Sequence, residues 1–366
     1  KAAAKGIHKV DPEAKVHVRP LADGGEGTVE ALVSGMNGTI RKVSVTGPIG
    51  KTVVCEYGVI ENTGGKTGEK TEEKTAVIEI AKAAGLTLLS EEERNPLYTT
   101  TYGVGEVIKD AVRNGCRKFI VGGSATNDGG AGMLQALGFG LLKENGEQIP
   151  SGARGLEELA EITDDNVIPE LAECKFKIAC DVTNVLCGET GASAVYGPQK
   201  GADEEMTERL DRLLFSYASL VKKKIPKADS MYPGTGAAGG LGFAFLTFMD
   251  AQLESGIQIV IKETGLEQEI AKADLVITGE GRMDGQTAMG KAPIGAAKLA
   301  KEYGKPVIAF SGCVTKDASA CNAAGIDAFF PILRSVVSLE EAMDVKNAAE
   351  NMTDTVEQAF RLFLLQ

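Results

Sequence analysis

Three acidic residues lie in or beside turns that are rich in glycine or small polar residues. Asp23 is in ADGGEG, Asp128 in VGGSATNDGGAGM and Asp181 in ACDVTN. A carboxylate can accept a proton from a substrate hydroxyl, or it can bind Mg²⁺ directly or through water. Because the chain has only two histidines, we expect its general base to be a carboxylate. Asp181 is the first candidate for this base and Asp23 the second, whereas Asp128 is a candidate metal ligand.

Basic side chains accompany these acids. GEGRMD contains Glu280, a second candidate metal ligand, and Arg282, and Lys291 follows further along the chain. Lys200 lies in a turn with glycines at positions 197 and 201. Arg282, Lys200 and Lys291 are therefore candidates for binding an anionic substrate. For each of these residues the structural alternative is a helix cap, a turn or a surface ion pair.

The glycine-rich loop at residues 121–133 could bind an anion without any lysine. Glycines allow the backbone to approach a ligand closely, and a helix beginning at Ala131 would place its positive end at the loop. The predicted phosphate-binding residues are Gly122, Gly123, Ser124, Thr126, Asn127, Gly129 and Gly130. The alternative is a structural turn in which Asn127 and Asp128 cap the helix. A further cluster, GTGAAGGLG at 234–242, is compatible with a hinge near the substrate or with close packing of backbones.

Two familiar nucleotide-binding patterns are incomplete. Gly65-Lys66-Thr67 matches the end of a Walker phosphate loop, but the first glycine of that pattern is replaced by Ile60. Gly279-Glu280-Gly281 begins like a dinucleotide fingerprint, but Asp284 stands where its third glycine would be. The sequence therefore gives little support to a dinucleotide cofactor.

Several of the candidate loops follow a predicted strand and precede a predicted helix. Strands are expected at 15–19, 118–121, 274–278 and 307–310, and helices at 28–33, 131–137 and 293–303. This alternation predicts a parallel sheet covered by helices, in which the loops at the carboxyl ends of the strands can share one site.

Two regions depart from this alternation. Residues 39–96 are predicted to form hairpin-like strands with a polar excursion at 62–73, and residues 139–264 contain a strand at 175–180 and a helix at 205–222. We therefore expect two α/β domains. The first comprises 1–38, 97–138 and 265–366, and the second comprises 39–96 and 139–264.

Composition limits the classes of protein that the chain can belong to. It has 366 residues, of which 43% are apolar, and a net charge of −12. That charge argues against a general nucleic-acid or acidic-membrane partner. Seven cysteines without a C-x-x-C pair are typical of reduced thiols, and no secretory or membrane-spanning segment is visible. We expect a cytoplasmic protein. The sequence does not specify its oligomeric state.

Nine motifs together resemble the type I glycerate kinases. In chain order they are ADGGEGT, VTGPIG, NPLYTTTYGVGE, GGSATNDGGAGMLQALG, ACDVTN, GASAVYGPQKGA, GAAGGLG, ITGEGRMDGQT and GKAPIG. The order and approximate spacing match the family over the whole chain. The Ala-Pro-Asp-Ser-Phe-Lys motif with which the family normally begins is missing, and its place would be before Lys1.

The resemblance implies phosphorylation of D-glycerate by ATP, with 2-phosphoglycerate favoured over 3-phosphoglycerate and with Mg²⁺ assisting the transfer. It also implies a discontinuous flavodoxin-like, or Rossmann-like, domain with an inserted second α/β domain that is similar to restriction-endonuclease folds. The expected active site is a cleft between these domains. The alternative function is a non-catalytic, two-domain binding protein for a small organic acid or a nucleotide.

Overall fold

The computed structural model describes residues 1–25, 27–63, 70–122 and 126–365. The chain divides into two compact units. Ala22–Ile259 form one of them, here named the central unit. Lys1–Leu21 and Val260–Gln366 form the other, here named the terminal unit.

Eleven strands lie in the described part of the chain. They are β1 Thr39–Thr46, β2 Thr52–Thr63, β3 Lys70–Glu79, β4 Cys116–Gly122, β5 Gly140–Leu142, β6 Glu161–Thr163, β7 Lys175–Ala179, β8 Ala251–Glu254, β9 Val276–Met283, β10 Val307–Val314 and β11 Ala328–Pro331.

Fourteen α-helices are found in the same described residues. They are α1 Ala2–His8, α2 Thr28–Gly35, α3 Ala81–Ala84, α4 Tyr102–Arg113, α5 Ala131–Leu137, α6 Ala192–Tyr196, α7 Glu204–Lys224, α8 Ala237–Phe248, α9 Gly256–Thr264, α10 Leu266–Lys272, α11 Ala292–Glu302, α12 Ala320–Ala323, α13 Leu339–Met343 and α14 Val345–Phe363. No helix in the described ranges has the length and hydropathy needed to cross a bilayer.

A six-stranded mixed sheet organises the central unit, in the order β1-β2-β3-β4-β7-β8. β1, β2 and β3 are antiparallel, whereas β3, β4, β7 and β8 are mutually parallel. Phe119 of β4 pairs with Ala76 on one side and with Phe176 on the other. The two phenyl rings stack with their centroids 4.6 Å apart. This buried row aligns the four parallel strands, so their carboxyl ends lie along one edge of the sheet.

The terminal unit has a three-stranded parallel sheet in the order β11-β10-β9. Successive residues of β10 point to opposite faces, as expected for a strand. Val307 and Ala309 belong to the core that contains α11, whereas Phe310 belongs to a separate core that contains Ile7 and Phe360. Both faces of this small sheet are therefore covered by helices.

Most predicted elements are confirmed, and two predictions near glycine-rich loops are wrong. α2, β4, α5 and α7 are confirmed close to their predicted bounds, and α5 ends at Gly138 with φ 103°. The strand predicted at 15–19 is wrong, because no strand forms there. The loop predicted from 279 is also wrong at its start, because β9 continues through 283 by pairing with β10.

The compact units are bounded differently from the predicted domains. The prediction placed 97–138 with the termini, but β4 from this segment pairs with β3 and β7, which were assigned to the other domain. Residues 22–259 therefore stay together because one sheet runs through them. The mixed α/β class is confirmed, while the flavodoxin-like and restriction-endonuclease-like descriptions stay predictions.

Candidate active site

A cavity of about 240 Å³ lies at the carboxyl ends of β4 and β7 in the central unit. Gly122 ends β4, and Ala179 to Asp181 lead out of β7. The opposite wall is formed by the short 3₁₀ turn Pro198–Lys200 and by α8. Sheets of this type commonly bind ligands at this edge, as the sequence predicted.

Asp181 is the acidic group of this cavity. Its side chain is exposed, and its Oδ1 accepts a hydrogen bond from the Gly256 N–H at 3.3 Å. The chain that leaves β7 therefore presents a carboxylate to the cavity.

Asp23 lies in a turn that packs against the same strand ends. Its Oδ1 accepts the Gly25 N–H at 3.2 Å, and the side chain is half-buried. A Cβ at Gly122 would lie 2.1 Å from the Gly24 carbonyl oxygen, and a Cβ at Gly256 would lie 1.7 Å from that of Asp23. Glycine at these positions thus lets the turn containing Asp23 approach the strand ends that carry Asp181.

Lys200 is the cationic group of the cavity. It is only 3% exposed, and its Nζ donates a hydrogen bond to the Thr126 carbonyl at 2.7 Å. The Nζ also lies 5.9 Å from the centre of the Tyr196 ring. Burial lowers the pKa of the Lys200 ammonium to about 8, and the negative charge of Asp128 acts in the opposite direction.

Asp128 lies two residues before Gly130, the N-cap of α5. It is fully buried, and its carboxylate accepts hydrogen bonds from the Thr101 N–H at 2.8 Å, the Thr101 hydroxyl at 2.9 Å, the Gly130 N–H at 3.1 Å and the Gly132 N–H at 3.2 Å. Burial raises the pKa of the Asp128 carboxyl, and these donors oppose that rise. Because every partner is a donor, the site fits the ionised form. This environment is compatible with the structural alternative raised from the sequence, and metal binding by Asp128 stays a prediction.

The glycine-rich loop has much of its hydrogen-bonding capacity satisfied inside the protein. The Gly129 N–H donates to the Gly239 carbonyl at 3.0 Å, while those of Gly130 and Gly132 donate to Asp128. Asn127 is fully buried and donates to the Ser193 hydroxyl at 2.9 Å. In a phosphate cradle these N–H groups would donate to the ligand. Here they donate to acceptors inside the protein.

The remaining members of the predicted cradle have different positions. Thr126 is fully buried, and its Oγ1 is without a hydrogen-bond partner among the described residues. Gly122 lines the cavity, whereas Gly123 and Ser124 lie outside the described residues, as does the Walker-like stretch at 65–67. Phosphate binding by the seven predicted residues stays a prediction.

The GTGAAGGLG cluster allows close packing of backbones. A Cβ at Gly239 would lie 1.7 Å from the Thr126 carbonyl oxygen. Ala238 lines the cavity with φ 56°, a conformation that costs about 1 kcal/mol or more for a residue with a side chain. The packing alternative therefore accounts for the glycines of this cluster.

Arg282, Glu280 and Lys291 belong to the terminal unit. The Arg282 side chain is 67% exposed, and its Nε lies 3.5 Å from Asp284 Oδ2. Glu280 is partly buried on β9, and its Oε1 has no hydrogen-bond partner in the described structure. Lys291 occupies the N-cap position of α11 and makes no side-chain cap. Glu280 and Arg282 therefore lie within the last residues of β9, not in the loop predicted for them, and Lys291 lies after the strand.

The two predicted magnesium ligands, Asp128 and Glu280, differ in how their carboxylate oxygens are engaged. In the residues that the structure describes, no group of three or more His, Cys, Asp or Glu side chains could hold a metal ion. Asp128 has both oxygens engaged by donors, whereas Glu280 Oε1 is buried without a partner. Since Mg²⁺ commonly combines one or two carboxylates with phosphate oxygens and water, the set fits a phosphate-bound ion at Glu280.

Three supporting residues were not identified from the sequence. Glu79, at the end of β3, is 2% exposed and accepts the Val29 N–H at the start of α2 at 2.9 Å. Burial raises the pKa of its carboxyl. The Tyr196 hydroxyl donates to Asn184 at 2.7 Å, and Thr101 supports Asp128. Glu79 could have been found from the sequence, because an acid between two isoleucines is unusual in a buried strand. Tyr196 and Thr101 lie inside two of the nine motifs that resemble the family.

Comparison with known proteins gives a consistent result. The sequence profile described as the glycerate kinase family matches residues 1–364. The chain is 46% identical to a glycerate kinase of Halalkalibacterium halodurans, over 96% of this chain and 92% of that protein. It is 44% identical to the glycerate 2-kinase of Escherichia coli, over 97% and 92% of the two chains.

A solved structure agrees with these relatives. The protein resembles a crystal structure assigned as glycerate kinase 2 from Salmonella typhimurium LT2 with a TM-score of 0.88 and 45% identity. The match covers 100% of this chain and 93% of the other. The nine motifs, the family profile and the shared fold lead to one conclusion: the chain belongs to the glycerate kinase family.

Proposed function

We propose that the chain transfers the γ-phosphoryl group of ATP to D-glycerate and forms 2-phosphoglycerate in preference to 3-phosphoglycerate. Membership of the glycerate kinase family supports the reaction. The preference for the 2-hydroxyl is supported by the relative from Escherichia coli, which is a glycerate 2-kinase.

The observation that carries this proposal is the pairing of Asp181 and Lys200 around one small cavity. Glycerate has a carboxylate next to its hydroxyl groups. A site for glycerate therefore requires a cation that binds the carboxylate and a proton acceptor for the hydroxyl. Lys200 provides the cation, because its pKa of about 8 leaves it protonated at neutral pH. Asp181 provides the acceptor, and Asp23 is the alternative base.

The transfer requires one bond to form and one to break. The glycerate hydroxyl oxygen forms a bond to the γ-phosphorus while the bond to the β–γ bridging oxygen breaks and ADP leaves. The hydroxyl proton passes to the Asp181 carboxylate. Orientation of the hydroxyl by Asp181 and of the carboxylate by Lys200 makes the reaction effectively intramolecular.

The phosphates of ATP need donors and cations beyond the cavity. Gly122, Gly123 and Ser124 are the residues that we propose for phosphate binding in the central unit. Arg282 and Lys291 are proposed to bind anionic groups of the substrates, and Arg282 is exposed enough to do so. Glu280 would hold Mg²⁺, which when bound neutralises charge on the phosphate oxygens.

An assay of ADP release coupled to a visible readout tests the proposal. With ATP, Mg²⁺ and D-glycerate present, ADP formation should depend on glycerate, and NMR of the product should show the phosphate on the 2-oxygen. Glycerate binding without any ADP formation would instead support the non-catalytic binding protein.

A further inference from the structure

Residues 126–130 of the glycine-rich loop contact several elements that line the cavity. The Thr126 carbonyl accepts from Lys200 at 2.7 Å. Asn127 donates to Ser193 of α6 at 2.9 Å, and Gly129 donates to Gly239 of α8 at 3.0 Å. A displacement of residues 126–130 would therefore move the lysine turn and the α8 wall.

Asp128 holds this loop in place. Its four donors come from Thr101 and from the first turn of α5, and the Thr101 hydroxyl also accepts the Met133 N–H at 2.9 Å. Asp128 has no exposed surface, so its carboxylate is screened from solvent. The charge therefore acts on its neighbours more strongly than a surface carboxylate would.

Lys200 is the neighbour whose charge matters for the proposed reaction. Its ammonium is bonded to a neutral carbonyl and is almost completely buried, which disfavours a positive charge. Other ionisable or charged groups around Lys200, its turn and the Asp128 loop lie on several elements. They are Asp181 and Cys180 after β7, Tyr196 of α6, Arg94 beside the following Gly201, and Tyr217 of α7 near Asp128.

We propose that Asp128 is a positioning residue for Lys200. It fixes the Thr126 carbonyl that orients the ammonium, and its buried negative charge keeps that ammonium cationic for the substrate carboxylate. This role differs from the metal-ligand role predicted from the sequence. The inference rests on the proposed function, because it assigns Lys200 to glycerate binding.

The test compares Asp128→Asn with Thr101→Val in the full-length protein. Both changes weaken the same hydrogen-bond cluster, but only Asp128→Asn removes the charge. We expect Asp128→Asn to shift the alkaline limb of the pH profile of kcat/KM for glycerate downward by about one pH unit or more. Thr101→Val should lower thermal stability without moving that limb. A folded Asp128→Asn enzyme with an unchanged pH profile would overturn the inference.

A second measurement covers the case in which Asp128→Asn does not fold. NMR of isotope-labelled lysine in the wild-type enzyme, with Lys200→Met for assignment, gives the protonation state of Lys200 directly. The inference predicts a cationic Lys200 at pH 7, and a neutral amine there would overturn it. The proposed function fails separately, if the wild-type enzyme forms no ADP in response to glycerate.

Discussion

At the scale of single residues, the sequence identified the chemistry of the cavity better than it identified individual roles. Asp181 and Lys200 were selected by residue type and position, and both line one cavity. Asp128 was selected by the same reasoning, yet its oxygens are engaged by internal donors. Residue type shows that a carboxylate is present, but the direction in which it points depends on contacts with Thr101, which is distant in sequence.

Lys200 should set the alkaline limit of activity. Its pKa is lowered by burial from the ordinary value of 10.5 to about 8, so the side chain is cationic below that pH and neutral above it. We expect kcat/KM for glycerate to fall as pH rises through about 8. Lys200→Met, which is neutral at every pH, should show a raised KM and no such fall. A wild-type profile that stays flat to pH 9.5 would contradict the role given to Lys200.

Arg282 should contribute to substrate binding without contributing to stability. Its side chain is 67% exposed and its ion-pair partner Asp284 is at 3.5 Å, so removal of the charge should change the melting temperature by little. We expect Arg282→Gln to reduce kcat/KM by about tenfold or more, the effect of losing about 1.4 kcal/mol of transition-state binding.

Arg212→Gln is the matched control for Arg282→Gln. Arg212 is 68% exposed and has its acidic partner, Glu208, also at 3.5 Å, but it lies on α7 and was not assigned to the site. Steady-state kinetics of the two variants should differ clearly. Equal kinetics for both would remove Arg282 from the proposed binding residues.

At the scale of elements, local signals predicted helices well and loops at strand ends less well. The glycine at 138 ended α5 where expected, since its φ of 103° suits glycine. Gly279 and Gly281 do not end β9, because the pairing of β9 with β10 continues past them. Strand ends depend on a partner strand, and a local glycine pattern contains no information about that partner.

Gly239 provides a test of the packing between α8 and the glycine-rich loop. A Cβ there would lie 1.7 Å from the Thr126 carbonyl oxygen, so Gly239→Ala must displace the backbone that orients Lys200. We expect the free energy of unfolding to fall by about 3 kcal/mol and activity to fall with it. Urea denaturation and the kinase assay measure the two effects.

Gly146→Ala is the control for Gly239→Ala. It introduces the strain of a left-handed backbone without a steric clash of the new Cβ. Gly146 also has a positive φ, 82°, but nothing lies within 4 Å of its Cβ position. The substitution should cost only about 1–2 kcal/mol, from the left-handed backbone, and should leave KM unchanged. If both alanine variants lose the same stability and the same activity, the close approach at Gly239 has no special importance.

At the scale of the whole molecule, the boundaries of the two compact units differ from those of the predicted domains. The prediction followed the change from hairpin-like strands to strand–helix alternation near residue 97. In the structure, β3 from one side of that change and β4 from the other pair in parallel, and the sheet keeps both in the central unit. Such pairing joins segments that are far apart in sequence, so local periodicity alone cannot reveal it.

The family assignment succeeded at this scale for a related reason. Nine short motifs in a fixed order carry information about the whole chain that no single glycine-rich loop contains. The profile match over residues 1–364 confirms that assignment. The catalytic roles of Asp181 and Asp23 stay predictions.

The most direct test of the central claim is the rate of glycerate-dependent ADP formation by the wild-type enzyme, Asp181→Asn and Asp23→Asn. We predict that Asp181→Asn lowers kcat by about 10² to 10⁴, with an unchanged melting temperature because the side chain is exposed. Asp23→Asn should have the smaller effect. A wild-type enzyme without glycerate-dependent turnover, or an Asp181→Asn enzyme with the wild-type kcat, would contradict the account.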